Sequence, residues 1–426
     1  MKNDLKLKNL KGTVDFLPSQ QAARDFIVET LKKSFVKYGY LPVESAILCP
    51  FDLLSSKYAG GAEILKEVYR LKDQGDRDLG LRYDLTVPFA KLIAANQNLP
   101  LPFRRFEIGK VFRDGPVKLG RNREFTQCDI DVCGIPGRLV EAEFFQMTEE
   151  CFSNLGLDVE IVWNNRKYLA GILEDCNVKE ISKAILCLDK LEKIGKQEVA
   201  VELEKEGLST REIKRIFELL SKDPKEVFET AKSNTLKEGC EEILELSELI
   251  SKLGLKTCKF SSTLARGLEI YTGTIWEVFD KTKKISSSLC GGGRYDEIIG
   301  KFIDDGKQYP ALGMTFGLEP ISILVGEKFK EESLLDLSIF AFDKNYYVLE
   351  IAKKFREANI KTVVDFSSSR LKKFLESSSN QKIPFVAIIG EDEIKENKVM
   401  LRDMKNSTQS ALSIEEAIEV IKKGRK

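Results

Sequence analysis

Between Phe103 and Gly134 the chain gathers Arg113, Arg121, Arg123, Phe125, Gln127 and Asp131 into one short stretch, FRRFEIGKVFRDGPVKLGRNREFTQCDIDVCG. The alternation of apolar and polar residues predicts a strand from Arg105 to Arg113 and a second from Glu124 to Val132. Asp114-Gly115-Pro116 and Gly120 mark the reversal between them. Strand side chains alternate, so residues 125, 127, 129 and 131 share one face. That face offers an aromatic plate, an amide and two carboxylates next to guanidinium groups. Such a surface suits a nucleotide held beside a small polar molecule; the plainer reading is a solvated, salt-bridged hairpin edge. A second cluster lies in LRYDLTVPFA (Leu81–Ala90), where Asp84 and Thr86 occupy alternate positions. A carboxylate and a hydroxyl are the acceptors an ammonium group requires, although Asp84 also fits as a helix cap. A third is SSTLARGLEIYTGTIWEVF (Ser261–Phe279), with Arg266 next to glycine and Tyr271 beyond it. Two guanidinium groups, Arg113 and Arg266, can flank one phosphate. Consecutive glycines at 291–293 let backbone approach a ligand closely.

The elements that must position these groups follow from the rest of the chain. At 426 residues it is long enough for two or three domains. Lys+Arg and Asp+Glu are equal at 67 each, so any nucleic-acid contact must come from local patches. Nine cysteines without a CxxC pair fit a reducing, cytoplasmic setting and argue against a disulfide framework or zinc ribbon. No apolar run approaches membrane-spanning length, and MKNDLKLKNLKG lacks the apolar core of a signal peptide. The chain contains no histidine, which removes histidine bases, Ser-His-Asp triads and histidine metal ligands; no resident metal site is expected. Helices are predicted over Ser19–Tyr38 and Leu139–Leu155, with a strand over Val159–Trp163 between the latter and a charged, wholly helical region running from Asn165 to about Ser251. From Leu337 strands and helices alternate to a final helix from Ile414, predicting a mixed sheet flanked by helices.

The FRDGP-turn-GR-REF-QCD-D pattern resembles motif 2 of class II aminoacyl-tRNA synthetases, closely in its histidyl-tRNA synthetase form. Four further stretches, in the same order along the chain, resemble that family: KGTVDFLP, LRYDLT, RGLEIYTG with GGGRYD, and ALGMTFGLEPISIL as motif 3. LDKLEKIGKQEVAVELEKEGLS (Leu188–Ser209) resembles its helical insertion, and PFVAIIGEDEIKENKVMLRDM its anticodon-binding domain. The resemblance implies an α+β fold: a class II antiparallel catalytic sheet over residues 1–164 and 252–325, a helical insertion over 165–251, and an α/β anticodon-binding domain over 334–426. It implies that histidine reacts with ATP, with Mg2+, to give histidyl-adenylate, and is then transferred to tRNA(His) by a homodimer. Carried over residue by residue, Arg113 and Arg266 are catalytic. Arg113, Arg121, Phe125 and Glu107 bind ATP. Asp84, Thr86, Gln127, Asp131, Arg266 and Tyr271 bind histidine, and Arg123 meets the tRNA acceptor end. The sequence departs from the family at Val14, Ala46, Glu269, Ile270 and, above all, Pro320, where motif 3 ordinarily ends in arginine. Those departures keep a second reading open, a catalytically silent paralogue such as a regulatory subunit of ATP phosphoribosyltransferase or a histidine or tRNA sensor. A histidine-specific enzyme without histidine could be made while that amino acid is scarce; drift in a lysine- and isoleucine-rich genome would leave the same composition.

Overall fold

The structure, a computed structural model, describes residues 7–55, 65–266, 270–330, 333–343, 346–368 and 370–424. Two compact units divide it, the first formed by residues 1–15 and 24–324, the second by 16–23 and 325–426. Gly267 to Glu269, and Glu331 with Glu332 of the linker between the units, lie outside the described residues.

The first unit is built on an eight-stranded sheet. Its strands are β1 (Leu41–Pro42), β5 (Phe103–Phe112), β6 (Glu124–Cys133), β7 (Val159–Asn165), β8 (Cys258–Phe260), β9 (Thr274–Asp280), β10 (Cys290–Arg294) and β11 (Ala311–Gly317). They lie in the order β1-β5-β6-β11-β10-β9-β7-β8, with the six central strands antiparallel and the two short edge strands parallel to their neighbours. A smaller sheet of β2 (Leu48–Pro50), β3 (Arg70–Lys72) and β4 (Asp78–Leu81) precedes β5 in the chain.

The register sorts the side chains by face. One row crosses five strands as Phe106, Ile130, Met314, Gly292 and Trp276, and the helices Pro18–Lys37 and Leu139–Asn154 cover this apolar side. Phe35 of the first helix meets Phe106 and Phe316, with centroids 5.8 and 5.6 Å apart. From the second, Phe144 and Phe145 close edge-on against Trp276, and Phe152 against Phe316 at 5.5 Å. The opposite face carries Gln127, Asp129 and Asp131, all buried. A strand whose polar face is as buried as its apolar face is not the edge of a solvated hairpin. Burying carboxylates is costly unless partners are supplied, so this face is organised for binding.

Between β7 and β8 the chain is helical, from Arg166 to Leu253. Its helices start where the sequence supplies caps. Asn165 accepts from the Lys167 amide at 2.8 Å, Ser209 and Glu212 form a capping box, Asp223 precedes Pro224, and Gly254 ends the last helix in the left-handed conformation. In the second unit, β12 (Leu337–Ala341), β13 (Thr362–Val364) and β14 (Phe385–Ile389) run parallel, and β15 (Lys398–Asp403) and β16 (Thr408–Ser413) extend the sheet antiparallel. The helices Tyr346–Glu357 and Ile414–Gly424 share its main core, while Phe374 of Leu371–Asn380 packs with Phe340 on the other face. All nine cysteines are free thiols. No helix among the described residues is long and apolar enough to cross a membrane.

Because Phe316 is fully buried between the two covering helices, Phe316→Ala should cost about 3–5 kcal/mol through lost burial and a cavity. Denaturant unfolding of the full chain measures this, and a loss below about 1 kcal/mol would contradict the packing described.

Candidate active site

The polar face of the sheet is a floor laid in rows. Glu107, Asp129, Thr315, Gly291 and Glu277 stand side by side across β5, β6, β11, β10 and β9; Arg105, Asp131, Gly313, Gly293 and Ile275 form the next row. Directly paired residues project to the same side, so the register alone brings five distant segments to one surface. Two of the glycines serve as seats. A Cβ at Gly291 would lie 2.5 Å from Arg266 Nη1, and one at Gly293 2.6 Å from Tyr271 Cδ1. Arg266 and Tyr271 therefore lie flat on backbone, with the guanidinium 5.2 Å from the Tyr271 ring centroid.

A cavity of about 320 Å3 opens over this floor, lined among others by Arg113, Arg121, Phe125, Gln127, Arg266, Glu277 and Pro320. Arg113 Nε donates to the Tyr83 carbonyl at 2.9 Å, and its guanidinium lies 5.2 Å from the Phe125 ring. Burial, reinforced by the neighbouring Arg121 charge, disfavours the charged form of Arg113, with Asp84 opposing. Arg266 donates to the Trp276 and Gly292 carbonyls at 3.2 and 3.3 Å, while Glu277 stays 3.9 Å away. Among the described residues no carboxylate forms an ion pair with Arg113, and Arg266 has only that distant one. Two desolvated guanidinium groups facing one cavity without close counter-ions form an anion site, since an incoming oxyanion would supply what the protein withholds.

The other end of the floor is acidic. Asp131 is held from below by Arg105 at 2.7 Å and by a hydrogen bond from the Tyr295 hydroxyl. Asp84 accepts from the Val87 amide at 3.0 Å, so it satisfies one free amide in the first turn of the helix Thr86–Ala95, whose N-cap residue is Leu85. Its carboxyl is nonetheless pushed up to about 6, chiefly by burial. Strand alternation does not explain the placing of Asp84 beside Thr86, because Asp84 lies in the loop after β4 and Thr86 is the first helical residue.

The structure brings Arg113, Arg121, Phe125, Gln127 and Arg266 to the cavity wall; Asp84, Thr86, Asp131 and Tyr271 are not in that lining. Glu107 is elsewhere engaged. Its carboxylate takes the Ser45 amide at 2.9 Å, Arg82 at 2.8 Å and Arg105 at 3.3 Å, away from the open space. Arg123 also lies off the lining: it meets Asp114 at 3.1 Å, and its amide donates at 2.8 Å to the Gly12 carbonyl of the KGTVDF segment. Pro320 is the third residue of the helix Leu318–Val325 and forms part of the wall, while Glu319 before it binds Arg24 at 3.0 Å and the Thr126 amide. Sequence reasoning passed over Arg82, Arg105, Tyr295 and Glu277. Glu277 was readable as the lone acid in the apolar run TIWEVF, and Arg105 and Glu107 as charges alternating with Phe106 and Ile108.

Comparison with known proteins finds relatives along nearly the whole chain. The family model described as histidyl-tRNA synthetase matches residues 12–321, and an anticodon-binding domain model matches 323–424. Histidine–tRNA ligase 1 of Bacillus cereus (strain ATCC 14579) is 42% identical over 421 residues, covering 96% of this chain and 98% of that protein. Histidine–tRNA ligase of Clostridium tetani is 34% identical over 442 residues, covering 99% and 100%. The crystal structure of histidyl-tRNA synthetase from Nostoc sp. PCC 7120 superposes with a TM-score of 0.85 at 28% identity, covering 98% of this chain and 99% of that one.

Arg105 is fully buried between Glu107 and Asp131. Arg105→Met keeps the bulk but takes the cation away from Asp131, which is left with the Tyr295 hydroxyl, so it should destabilise the fold by about 3–5 kcal/mol. Urea titration at neutral pH checks this; unchanged stability would show that the charged layer contributes nothing to the native state.

Proposed function

The chain belongs to the histidyl-tRNA synthetase family, and we propose that the floor and its two guanidinium groups without close counter-ions are where histidine is joined to ATP. Ligation of histidine to tRNA, through an activated adenylate, is the activity this membership assigns. ATP is a substrate, and the anticodon-binding module over residues 323–424 indicates tRNA as the acceptor.

The single observation that carries the site reading is that Arg113 and Arg266, far apart in sequence, line one cavity without close counter-ions. In the first step the histidine carboxylate attacks the α-phosphorus of ATP and pyrophosphate leaves. The two guanidinium groups grip the α-phosphate from either side as negative charge gathers on its oxygens. Phe125 stacks on adenine, and Arg121 holds the outer phosphates, a role enlarged by Pro320 standing where the family has arginine. Asp84, Thr86 and Gln127 fix the amino acid's ammonium end. Asp131, anchored by Arg105 and Tyr295, reads the imidazole with Tyr271, and rejects apolar side chains that would leave it unpaired. No covalent enzyme intermediate is needed, so positioning and charge stabilisation supply the rate.

No cluster of three metal-ligating side chains occurs among the described residues. Glu277 lines the cavity with a carboxylate that Arg266 approaches only to 3.9 Å, so it would be the residue to meet an Mg2+ carried chiefly by the phosphates it neutralises, whereas Glu319 is taken by Arg24 and the Thr126 amide. Exposed Leu41, Ile47 and Leu48 near the edge strands support pairing of two copies into a homodimer. The free, mostly buried thiols support a cytoplasmic setting. The helical region over residues 165–251 is proposed as an insertion, the flanking segments 1–164 and 252–325 as the catalytic core, and 334–426 as the anticodon-binding domain. Arg123 is proposed to meet the tRNA acceptor end.

Histidine-dependent ATP–pyrophosphate exchange tests the reading. Arg113→Ala and Arg266→Ala should each lower it roughly 10²–10³-fold with the fold intact; near-wild-type exchange in either variant would sink the site assignment. Asp131→Asn should raise KM for histidine more than KM for ATP, and an equal loss for both would remove its role in reading the side chain.

A further inference from the structure

Of the three arginines in the cavity wall, Arg121 is the one that a carboxylate approaches within 3.5 Å among the described residues. Its Nη2 lies 3.4 and 3.5 Å from the two oxygens of Glu67, a residue just ahead of β3 with no part in the chemistry above. The place of that carboxylate is built by the backbone around it. The Glu67 carbonyl accepts from the Asp114 amide at 2.8 Å, which ties its segment to the start of the loop after β5. A Cβ on Gly115 would lie 2.7 Å from Glu67 Oε1, so a side chain there would displace the carboxylate. At the other end of the loop, Lys118 and Arg121 exchange backbone hydrogen bonds at 3.2 and 2.8 Å around Gly120, which turns with positive φ. Both partners of the ion pair are therefore held by the chain on either side of them.

Charge says what the contact does. The Arg121 cation disfavours the charged form of buried Arg113, and the Glu67 carboxylate opposes that effect. A carboxylate beside two guanidinium groups thus supplies the kind of compensation that an outer phosphate supplies when nucleotide binds. The pair is long, and its side chains are 25% and 43% exposed, which makes it a weak, exchangeable contact and not a lock. Nη2 of Arg121 cannot serve Glu67 and a phosphate oxygen at full strength together, so the two anions compete for it.

We propose that Glu67 is a positioning residue acting through Arg121, an internal counter-ion that competes with the outer phosphates for that arginine and so eases the release of pyrophosphate. This rests on the reading of Arg121 as the group that holds those phosphates, and adds to it the residue that takes the arginine back. On binding, the phosphates displace Glu67 from Arg121; on leaving, Glu67 displaces them. Without the competitor, the site would hold pyrophosphate longer, which slows turnover wherever product release limits it.

Calorimetric titration of the full chain with inorganic pyrophosphate and Mg2+, and separately with AMP, which lacks the outer phosphates, tests this. Glu67→Gln keeps the shape and removes the charge. It should bind pyrophosphate about 3–5-fold tighter than wild type and AMP within about 2-fold. Glu67→Ala should shift both in the same direction. In an Arg121→Ala background the gain should vanish, because no arginine is left to compete for. Unchanged or weaker pyrophosphate binding in Glu67→Gln overturns the proposal, weaker binding meaning that Glu67 aims Arg121 instead of competing for it. A gain that persists without Arg121 overturns it as well, since bare repulsion between Glu67 and the phosphates would then be the cause. If folded wild type binds neither pyrophosphate nor ATP, the nucleotide reading of the cavity falls and this proposal with it; if it binds both and is indifferent to Glu67, only this proposal falls.

Discussion

The buried guanidinium of Arg105, held between Glu107 and Asp131, is the constraint from which the rest of the pocket follows. It is completely enclosed, and so is the charge it answers. Glu107 in turn ties down Arg82 and Ser45, fixing the segment that presents Asp84. Asp131 takes Tyr295 from the far side, linking the strand to the end of the GGGRYD string. In a desolvated layer each of these contacts is strong, and each group would be expensive to leave alone. The network therefore fixes the floor in one arrangement before any substrate arrives, which is what catalysis by positioning demands.

Above that layer the sheet divides labour by register. The apolar rows pack against two helices and supply stability; the polar rows supply chemistry. Glycine at 291 and 293 is what lets Arg266 and Tyr271 descend onto the floor, so a string that looks like a plain loop is a strand whose missing side chains make room for someone else's. Pro320 shows how far the frame tolerates change. It sits in the first turn of its helix, where a missing amide hydrogen costs little, and forms part of the cavity wall. The neighbouring Glu319 is bound by Arg24 and the Thr126 amide, so the helix start is anchored with proline in it.

Much of this was legible in the residues. Alternation along β5 and β6 located the hairpin to within a residue or two, and the side-by-side placement of 125, 127, 129 and 131 follows from strand geometry alone. The helical region between β7 and β8 was readable because its caps are spelled out, as in Ser209 with Glu212 and Asp223 with Pro224. What could not be read was partnership across the sheet. Nothing in the order of residues says that Thr315 faces Asp129, that Arg105 answers Asp131, or that Glu107 spends its carboxylate on Arg82 and Ser45; register is a tertiary fact. The same limit explains Asp84 and Thr86, whose nearness owes to a loop entering a helix and not to alternation.

The proposed chemistry depends on two arginines converging on one phosphorus, and a crystal structure of the chain with a non-hydrolysable histidyl-adenylate analogue measures that directly. Both guanidinium groups should lie about 3 Å from oxygens of the group standing for the α-phosphate, with the ammonium directed toward Asp84 and Gln127. If Arg266 instead stays turned to the carbonyls of Trp276 and Gly292 while the analogue binds elsewhere, the mechanism described is wrong.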